Sequence, residues 1–240
     1  MISLQWLDAA PSSKFPALNS ALSKPNGLLA AGGDLSPERL INAYQQGIFP
    51  WYSEGEPILW WSPDPRFVLK PEHIKISRSL AKNLRNNSLT LRMDTAFDAL
   101  ISNCSSQPRE GQPGTWISPD MKQAYISLHQ LGYAHSVECW EGDELVGGLY
   151  GVHSGQVFCG ESMFSRQNNA SKIALVQLCR FIQYHGFTLI DSQVYTPHLE
   201  SLGARMIPRN AYIKTLQQPT DINMPTNWDA LFQQFLLDRG

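Results

Sequence analysis

The sequence predicts an α+β protein in which a small N-terminal α/β domain precedes a larger domain built on a mainly antiparallel sheet. Three β-rich runs, "AHSVECW", "ELVGGLYGV" and "QVFCGESMF", are separated only by the turn-forming stretches "EGDE" and "HSGQ", which is typical of an antiparallel meander. Helices with clear start and stop signals surround these runs. The stretch "SPDPR" resembles a linker, so we expect domains at 1–65 and 66–240.

In the N-terminal domain, the helix signals bracket residues 37–46. Ser36 is a suitable cap, Pro37 suits the first helical position, and Gly47 follows the end. Next comes a Trp/Pro segment, 48–67, which holds three tryptophans and four prolines. Because proline removes a backbone donor and pushes the preceding residue toward extended geometry, we predict a rigid loop or edge, whose aromatic rings either fill a domain junction or offer flat faces to a flat ligand.

The C-terminal domain begins with two amphipathic helices, in "ISRSLAKNLRNNS" and at 119–131. The meander is followed by a helix in "NASKIALVQLCRFIQYHG", a strand in "FTLIDSQV", and a short helix and strand in "TPHLESLGARMIPR". This order is that of the N-acetyltransferase fold. In that fold a glycine-rich loop holds the pyrophosphate of acyl-CoA, whereas "MFSRQNNASK" has no glycine. We therefore expect a different acyl donor and keep acyl-CoA-dependent N-acetyl transfer as the alternative function.

Composition excludes several classes of protein. The 240 residues are 42% hydrophobic and 17% charged, as in ordinary globular proteins. There is no basic, apolar leader and no run of eighteen apolar residues, so we expect a cytoplasmic protein that does not bind membranes, and a monomer. Four cysteines lie too far apart for CxxC motifs and six histidines lack ligand spacing, so we expect neither disulfides nor a metal. The tail "NWDALFQQFLLDRG" resembles one further amphipathic helix.

Charge is segregated along the chain although the net charge is only −2. Residues 1–65 carry three cations against six carboxylates, whereas 66–92 carry seven cations against one. Arg78, Lys82 and Arg85 fall at i, i+4 and i+7 of a predicted helix and therefore share a face. This basic helix face is interpreted most simply as a solvated surface; the alternative is a patch that binds a polyanion.

Several blocks of sequence now point to one family. In chain order they are "PNGLLAAGGDLSPERLINAYQQGIFPWYS", "PILWWSPDPR", "GTWI", "LVGGLYGV", "FCGESMFSRQNNASK", "LIDSQV" and "SLGA". Together they resemble the bacterial leucyl/phenylalanyl-tRNA–protein transferases. The resemblance implies transfer of Leu or Phe, and less well Met, from the 3′ end of aminoacyl-tRNA to a protein with N-terminal Arg or Lys, marking it for N-end-rule degradation. No cofactor is expected, because the ester of the donor is already activated.

The aromatic residues receive roles from this resemblance. Trp51 and Trp116 are expected to contact the 3′-terminal adenosine, where stacking is worth about 1 to 3 kcal/mol per base. Trp60 and Trp61 are predicted instead to pack the domain junction. Tyr44 corresponds to an active-site tyrosine of the family, although a core tyrosine of an amphipathic helix is nearly as good an interpretation.

Three polar residues are candidates for the chemistry. Asp191 and Gln193 stand at i and i+2 of "LIDSQV", and on a strand such residues share a face. The resemblance assigns them to the acceptor amine; for Asp191 a cap or turn role is the alternative. Glu161 interrupts an apolar strand, where an unpaired carboxylate is costly. The family suggests the α-ammonium of the aminoacyl group as its partner; an ion pair with Arg166 or Lys172 is the equal alternative.

The resemblance also assigns a pocket for the transferred side chain, formed by Leu149, Phe158, Met163, Leu175 and Ile190. Strict strand alternation separates Phe158 from Glu161 and Met163, so their roles are compatible only if the strand bulges near Gly160. The basic helix face is assigned to phosphates of the acceptor stem. A non-catalytic tRNA-binding module is the third interpretation, disfavoured because a pure binder has little use for carboxylates near phosphates.

Overall fold

The computed structural model describes residues 4–10, 14–86, 88–107, 117–219 and 227–238. The N-terminal part contains a sheet of four strands: β1 (Gln5–Leu7), β2 (Leu28–Gly32), β3 (Phe49–Pro50) and β4 (Leu59–Trp61). They lie in the order β1-β2-β4-β3, with β1 parallel to β2 and the other neighbours antiparallel. The Trp/Pro segment supplies β3 and β4 and contains no helix, as its prolines predicted.

Helix α1 (Pro37–Gln45) confirms the helix expected from its end signals. The Ser36 hydroxyl accepts a hydrogen bond from the Arg39 backbone N–H at 3.4 Å, which satisfies one of the free donors of the first turn. After the helix, Gly47 takes a φ of +74°, and a Cβ there would lie 2.5 Å from Ile213. Conformation and space therefore both favour glycine at this helix end.

A second sheet has seven strands: β5 (Arg66–Leu69), β6 (Thr90–Met93), β7 (Ala134–Glu141), β8 (Glu144–Ser154), β9 (Val157–Ser165), β10 (Leu189–Asp191) and β11 (Arg205–Ile207). Their order is β11-β5-β10-β9-β8-β7-β6. Every neighbouring pair is antiparallel except β9 and β10. The predicted α+β class, the meander β7-β8-β9 and the mainly antiparallel sheet are confirmed.

The remaining helices cover both faces of this sheet: α2 (Arg78–Arg85), α3 (Phe97–Ser106), α4 (Pro119–Gln130), α5 (Ala170–Tyr184), α6 (Pro197–Ser201), α7 (Arg209–Leu216) and α8 (Trp228–Leu237). One core contains side chains of α1, α3, α4, α7 and the four-stranded sheet, and a second core contains those of α2, α5 and α8. The tail is therefore a packed helix. Its Asp229 carboxylate accepts from Met93 N–H on the edge strand β6.

The N-terminal part and the seven-stranded sheet share the first core. Trp60 is fully buried there, and its indole N–H donates to the Gly32 carbonyl at 2.9 Å, which confirms the packing role predicted for this tryptophan. Leu40 of α1 lies in the same core as Phe97 of α3. The domain boundary after residue 65 stays a prediction.

Three findings concern sites that the composition argued against. Within the described ranges, no helix is both long and apolar enough to cross a membrane. The same residues hold no group of three or more His, Cys, Asp or Glu side chains that could bind a metal ion. All four cysteines, which lie within the described residues, are buried, and none forms a disulfide.

Candidate active site

A cavity of about 640 Å³ opens where strands β9 and β10 part. The parallel strands pair only between Leu189–Asp191 and the facing residues Val157 to Cys159. β10 then ends, while β9 continues along β8 to Ser165. The cavity is lined by β8, β9, α5, the Trp/Pro segment and the turn with short helix after β10, namely Phe49, Pro50, Trp51, Leu149, Tyr150, Gly160, Glu161, Ser162, Met163, Leu175, Leu178, Ile190, Ser192, Gln193, Val194, Thr196, His198 and Leu199.

A β-bulge in β9 turns two of the predicted residues into this cavity. Tyr150 pairs with Ser162 and the next residue of β8, Gly151, pairs with Gly160, so Glu161 is the extra residue. The bulge predicted near Gly160 is thereby confirmed. Because the strand resumes its alternation one residue out of step, Glu161 and Met163 both line the cavity.

Four of the five predicted pocket residues line the cavity; Phe158 does not. Phe158 is fully buried in the second core. A Cβ on Gly151 would lie 2.4 Å from its ring, so the ring occupies the space above that glycine before the bulge changes the direction of the side chains. We therefore correct its assignment from pocket to core.

Glu161 is held by neutral donors. Its oxygens accept from the Tyr44 hydroxyl at 2.8 Å, the Tyr125 hydroxyl at 2.9 Å and the Gln193 side-chain amide at 3.1 Å. Burial raises the pKa of Glu161 to about 7, against the effect of the two tyrosine hydrogen bonds. Burial likewise raises the pKa of both tyrosines well above the ordinary value, so the phenols stay protonated.

The network around Glu161 is short of one proton. Tyr44 and Tyr125 oxygens also lie 2.7 Å apart, so three close oxygen contacts share two phenol protons. With Glu161 ionised, one of those contacts has no hydrogen between its oxygens. A proton on the carboxyl group supplies the missing hydrogen.

The alternative partners of Glu161, Arg166 and Lys172, do not pair with it. Arg166 instead donates to Asn103 at 2.6 Å and lies 3.6 Å from Glu144. Lys172 contacts neither Glu161 nor any other carboxylate of the described residues within ion-pair distance. The donors come from α1, α4 and the turn after β10, none of which is adjacent to Glu161 in sequence.

Asp191 lies behind the cavity wall. Its carboxylate accepts two bonds from Arg66, at 2.8 and 2.6 Å, one from the Tyr212 hydroxyl at 3.0 Å and one from the Gln193 backbone N–H at 2.9 Å. Its side chain is fully buried. The predicted common face with Gln193 is wrong, because β10 ends at Asp191 and Gln193 takes a left-handed φ of +56°.

Arg66 connects the two sheets at this point. Its guanidinium lies 4.8 Å from the ring of Phe49 on β3 and 4.6 Å from that of Tyr212 on α7. Burial opposes its charge, but Asp191 and Tyr212 outweigh that effect and raise its pKa. Arg66 counted toward the basic segment in the sequence, yet it is buried and contributes nothing to the surface.

The predicted aromatic contacts with the donor divide into described and undescribed residues. Trp51 lines the cavity and is half-buried; its carbonyl accepts from the Trp61 indole N–H at 2.6 Å, and the two rings lie 5.7 Å apart. Trp116 lies outside the described residues.

The basic residues of α2, Arg78, Lys82 and Arg85, are exposed and lie outside the cavity. Leu80 of the same helix is buried. The predicted amphipathic helix is therefore confirmed.

Sequence reasoning missed Tyr125, Arg66 and Tyr212. Tyr125 lies on the apolar side of a predicted amphipathic helix, where nothing distinguishes it from a core residue. Arg66 stood in a stretch interpreted as a linker. These partners are identified only by the fold, which brings together residues far apart in sequence, such as Tyr44 and Glu161, separated by 117 residues.

Comparison with known proteins identifies the family of the chain. The family described as leucyl/phenylalanyl-tRNA protein transferase matches residues 68–217, and the N-terminal domain of that family matches 33–64. The chain belongs to this family. Leucyl/phenylalanyl-tRNA–protein transferases of Chromobacterium violaceum and Nitrosomonas eutropha are 54% and 61% identical to it, covering 94% and 86% of this chain and 96% and 88% of theirs. As a member of the family, the chain is an aminoacyltransferase.

Solved structures with similar backbones are distant in sequence. A GCN5-related N-acetyltransferase from Kribbella flavida is 11% identical, with a TM-score of 0.35 over 69% of this chain and 58% of that one. A conserved protein of unknown function from Staphylococcus epidermidis is 9% identical, with a TM-score of 0.41 over 75% and 68%.

Proposed function

We propose that the chain, acting in the cytoplasm as a monomer, transfers Leu or Phe, and less well Met, from aminoacyl-tRNA to the N-terminal Arg or Lys of acceptor proteins, marking them for N-end-rule degradation. The observation that carries the proposal is Glu161, a carboxylate that no described cation pairs with, in the wall of a mainly apolar cavity. An aminoacyl ester presents an ammonium group beside an apolar side chain. The ammonium group therefore matches Glu161, and the apolar side chain matches the apolar part of the cavity wall.

In this scheme the donor occupies the cavity by three contacts. Its α-ammonium donates to Glu161 and balances the charge of that carboxylate. Its side chain lies among Leu149, Met163, Leu175 and Ile190. Trp51 stacks on the terminal adenine, a contact that tolerates any base because every base has a flat face.

The acceptor amine attacks the ester without help from a strong base. An α-amine has a pKa of about 7.7 to 8.0, so part of it is neutral near pH 7. Its nitrogen bonds to the ester carbonyl carbon, the bond from that carbon to the ribose oxygen breaks, and the proton lost by nitrogen balances the one gained by the ribose oxygen. Gln193 lies at the cavity and orients the amine, while Asp191 is a positioning residue that holds the Gln193 backbone.

The test is transfer of radiolabel from Leu-tRNA to a protein that begins with Arg. We expect label to become acid-precipitable and resistant to RNase, and expect none with the same protein begun by Ala. A parallel reaction with labelled acetyl-CoA tests the alternative. Labelling from acetyl-CoA but not from Leu-tRNA would replace the proposal with N-acetyl transfer.

A further inference from the structure

One side of the cavity opening carries two basic side chains that the scheme above does not use. His198, on α6, lines the cavity and is partly exposed. Lys172 lies on α5, three residues before Leu175 of the cavity lining. Residues three apart on a helix share a face, so Lys172 lies on the side of α5 that borders the cavity, and its charge adds to burial in lowering the pKa of His198.

Both side chains are available to a ligand. Within the described ranges, the Lys172 ammonium pairs with no carboxylate and the His198 ring forms no hydrogen bond. The Glu200 carboxylate, on the same short helix as His198, accepts from the Tyr195 hydroxyl at 2.7 Å. Among the described residues, therefore, no carboxylate lies within ion-pair distance of the Lys172 ammonium.

The segment leading to the basic helix face packs beside this opening. The Lys75 backbone N–H donates to the carbonyl of Leu202, directly after α6, at 2.9 Å. His73 and Gly203 approach so closely that a Cβ on the glycine would lie 2.3 Å from the His73 carbonyl oxygen. Helix α2, which follows, packs in the same core as α5. Exposed cations thus extend from α2 through Lys75 toward the opening.

We propose that Lys172 and His198 form a phosphate-binding site that receives the backbone of the single-stranded 3′-terminal nucleotides, between the acceptor stem on α2 and the adenosine in the cavity. The inference rests on the proposed function and adds a subsite to it. A lysine ammonium is a compact charge suited to phosphate, and an imidazole N–H is a hydrogen-bond donor. Such contacts are independent of base identity.

Three Phe donors of increasing length test this site. Phenylalanyl-adenosine has no phosphodiester, a phenylalanylated CCA trinucleotide has the tail alone, and Phe-tRNA has the tail and the stem. For Lys172→Gln with His198→Asn, we expect KM to rise about tenfold for the trinucleotide and for Phe-tRNA, and to stay unchanged for phenylalanyl-adenosine. The slope of log KM against log salt should fall by about 0.7 for each lost phosphate contact.

Arg180→Gln is the matched control, because it removes an exposed charge from the same helix two turns farther on; it should leave all three KM values unchanged. Lys172→Gln alone repeats the test if the double variant does not melt like the wild type. An unchanged KM for the trinucleotide, or an equal rise with phenylalanyl-adenosine, would overturn the phosphate site. Failure of the wild type to use any of the donors would instead reject the proposed function.

Discussion

Two carboxylates on neighbouring strands stand on opposite sides of the cavity wall. Asp191 of β10 accepts its hydrogen bonds from Arg66, Tyr212 and a backbone N–H. Within the described residues, Glu161 of β9 accepts from neutral groups alone, two tyrosines and the amide of Gln193. Both carboxylates are removed from bulk water, but among these residues a cation balances the charge of Asp191 alone.

The difference in charge balance separates the two carboxylates in their capacity for a ligand. Four donors occupy Asp191, about as many as a carboxylate accommodates, so it has no capacity for a substrate amine. For Glu161, burial without a cation raises the pKa to about 7, and a ligand cation stabilises its charged form. Gln193 joins the two, because its backbone binds Asp191 and its side chain binds Glu161. Asp191, paired with Arg66, therefore holds Gln193 where its side chain can bind Glu161.

The largest effect is expected from Asp191→Asn. The substitution leaves the Arg66 charge buried without a partner, and breaking a buried pair in this way costs about 3 to 5 kcal/mol of folding free energy. Urea unfolding measures the loss. Replacing both partners, with Arg66→Met and Asp191→Leu together, should recover much of it. A wild-type unfolding free energy with a reduced kcat would instead make Asp191 a catalytic group and remove the contrast with Glu161.

Glu161→Gln should affect stability in the opposite direction. A folded-state pKa of about 7, above the ordinary 4.5, means that the folded state binds this proton more tightly than the unfolded state. The stability that this proton gives the folded state is fully present below pH 4.5. As pH rises from 4.5 to 7, the wild type loses up to about 3 kcal/mol of unfolding free energy, and the loss then levels off. The variant lacks this slope, so it should be the more stable protein at pH 8 and equal to the wild type at pH 4.

Urea melts of both proteins across this pH range give the difference directly, with other titrating groups cancelling. Despite its greater stability, Glu161→Gln should lower kcat/KM for Leu-tRNA about 10- to 100-fold, because a hydrogen bond to a charged group is worth about 1.5 to 3 kcal/mol. A pH-independent difference in stability would show that Glu161 is charged without cost in the folded protein.

Two tryptophans of the Trp/Pro segment are compared in the same way: Trp51 lines the cavity, whereas Trp60 is buried in the core. Trp51→Ala should remove about 1 to 3 kcal/mol of binding free energy and so raise the KM for aminoacyl-tRNA, while the protein still unfolds cooperatively. Trp60→Ala is the control and should cost about 3 to 5 kcal/mol of stability, since it opens a cavity in the core. Circular dichroism separates the outcomes: loss of the melt in Trp51→Ala would assign that residue to the core.

Exposed charges should give the smallest change in stability. Substituting Arg78, Lys82 and Arg85 together by Gln should alter the unfolding free energy by only about 0.5 kcal/mol per site or less, unlike removal of the buried Asp191. The effect should fall on tRNA binding, whose slope of log K against log salt decreases by about 0.9 for each lost phosphate contact. An unchanged slope would make this face an ordinary solvated surface.

Local signals predicted most elements correctly. Ser36 with Pro37 and Gly47 delimited α1, and the turn residues between the meander strands placed β7, β8 and β9. Such signals act within a few residues of the backbone that they shape. The bulge was predicted because the side-chain roles of β9 conflicted with strict alternation, a conflict visible in the sequence near Gly160.

Signals of the same kind failed where distant partners control the backbone. The apolar run before Asp191 predicted a strand continuing through Gln193, but the chain turns because the Asp191 carboxylate holds the Gln193 N–H. That carboxylate is itself oriented by Arg66, 125 residues away. The periodicity of side chains along a strand contains no information about a partner so far away in sequence.

Sequence alone predicted the class of fold, the family to which the blocks point, the segregated charge and the polar residues that we propose for the chemistry. Tertiary structure decided the surroundings of each of those residues, since it places Arg66 against Asp191 and two tyrosines against Glu161. The physical reason is that hydrogen-bond propensities and side-chain periodicity are local properties of the chain. A carboxylate's pKa and its availability to a ligand depend on burial and on which charges surround it, and long-range packing alone sets both.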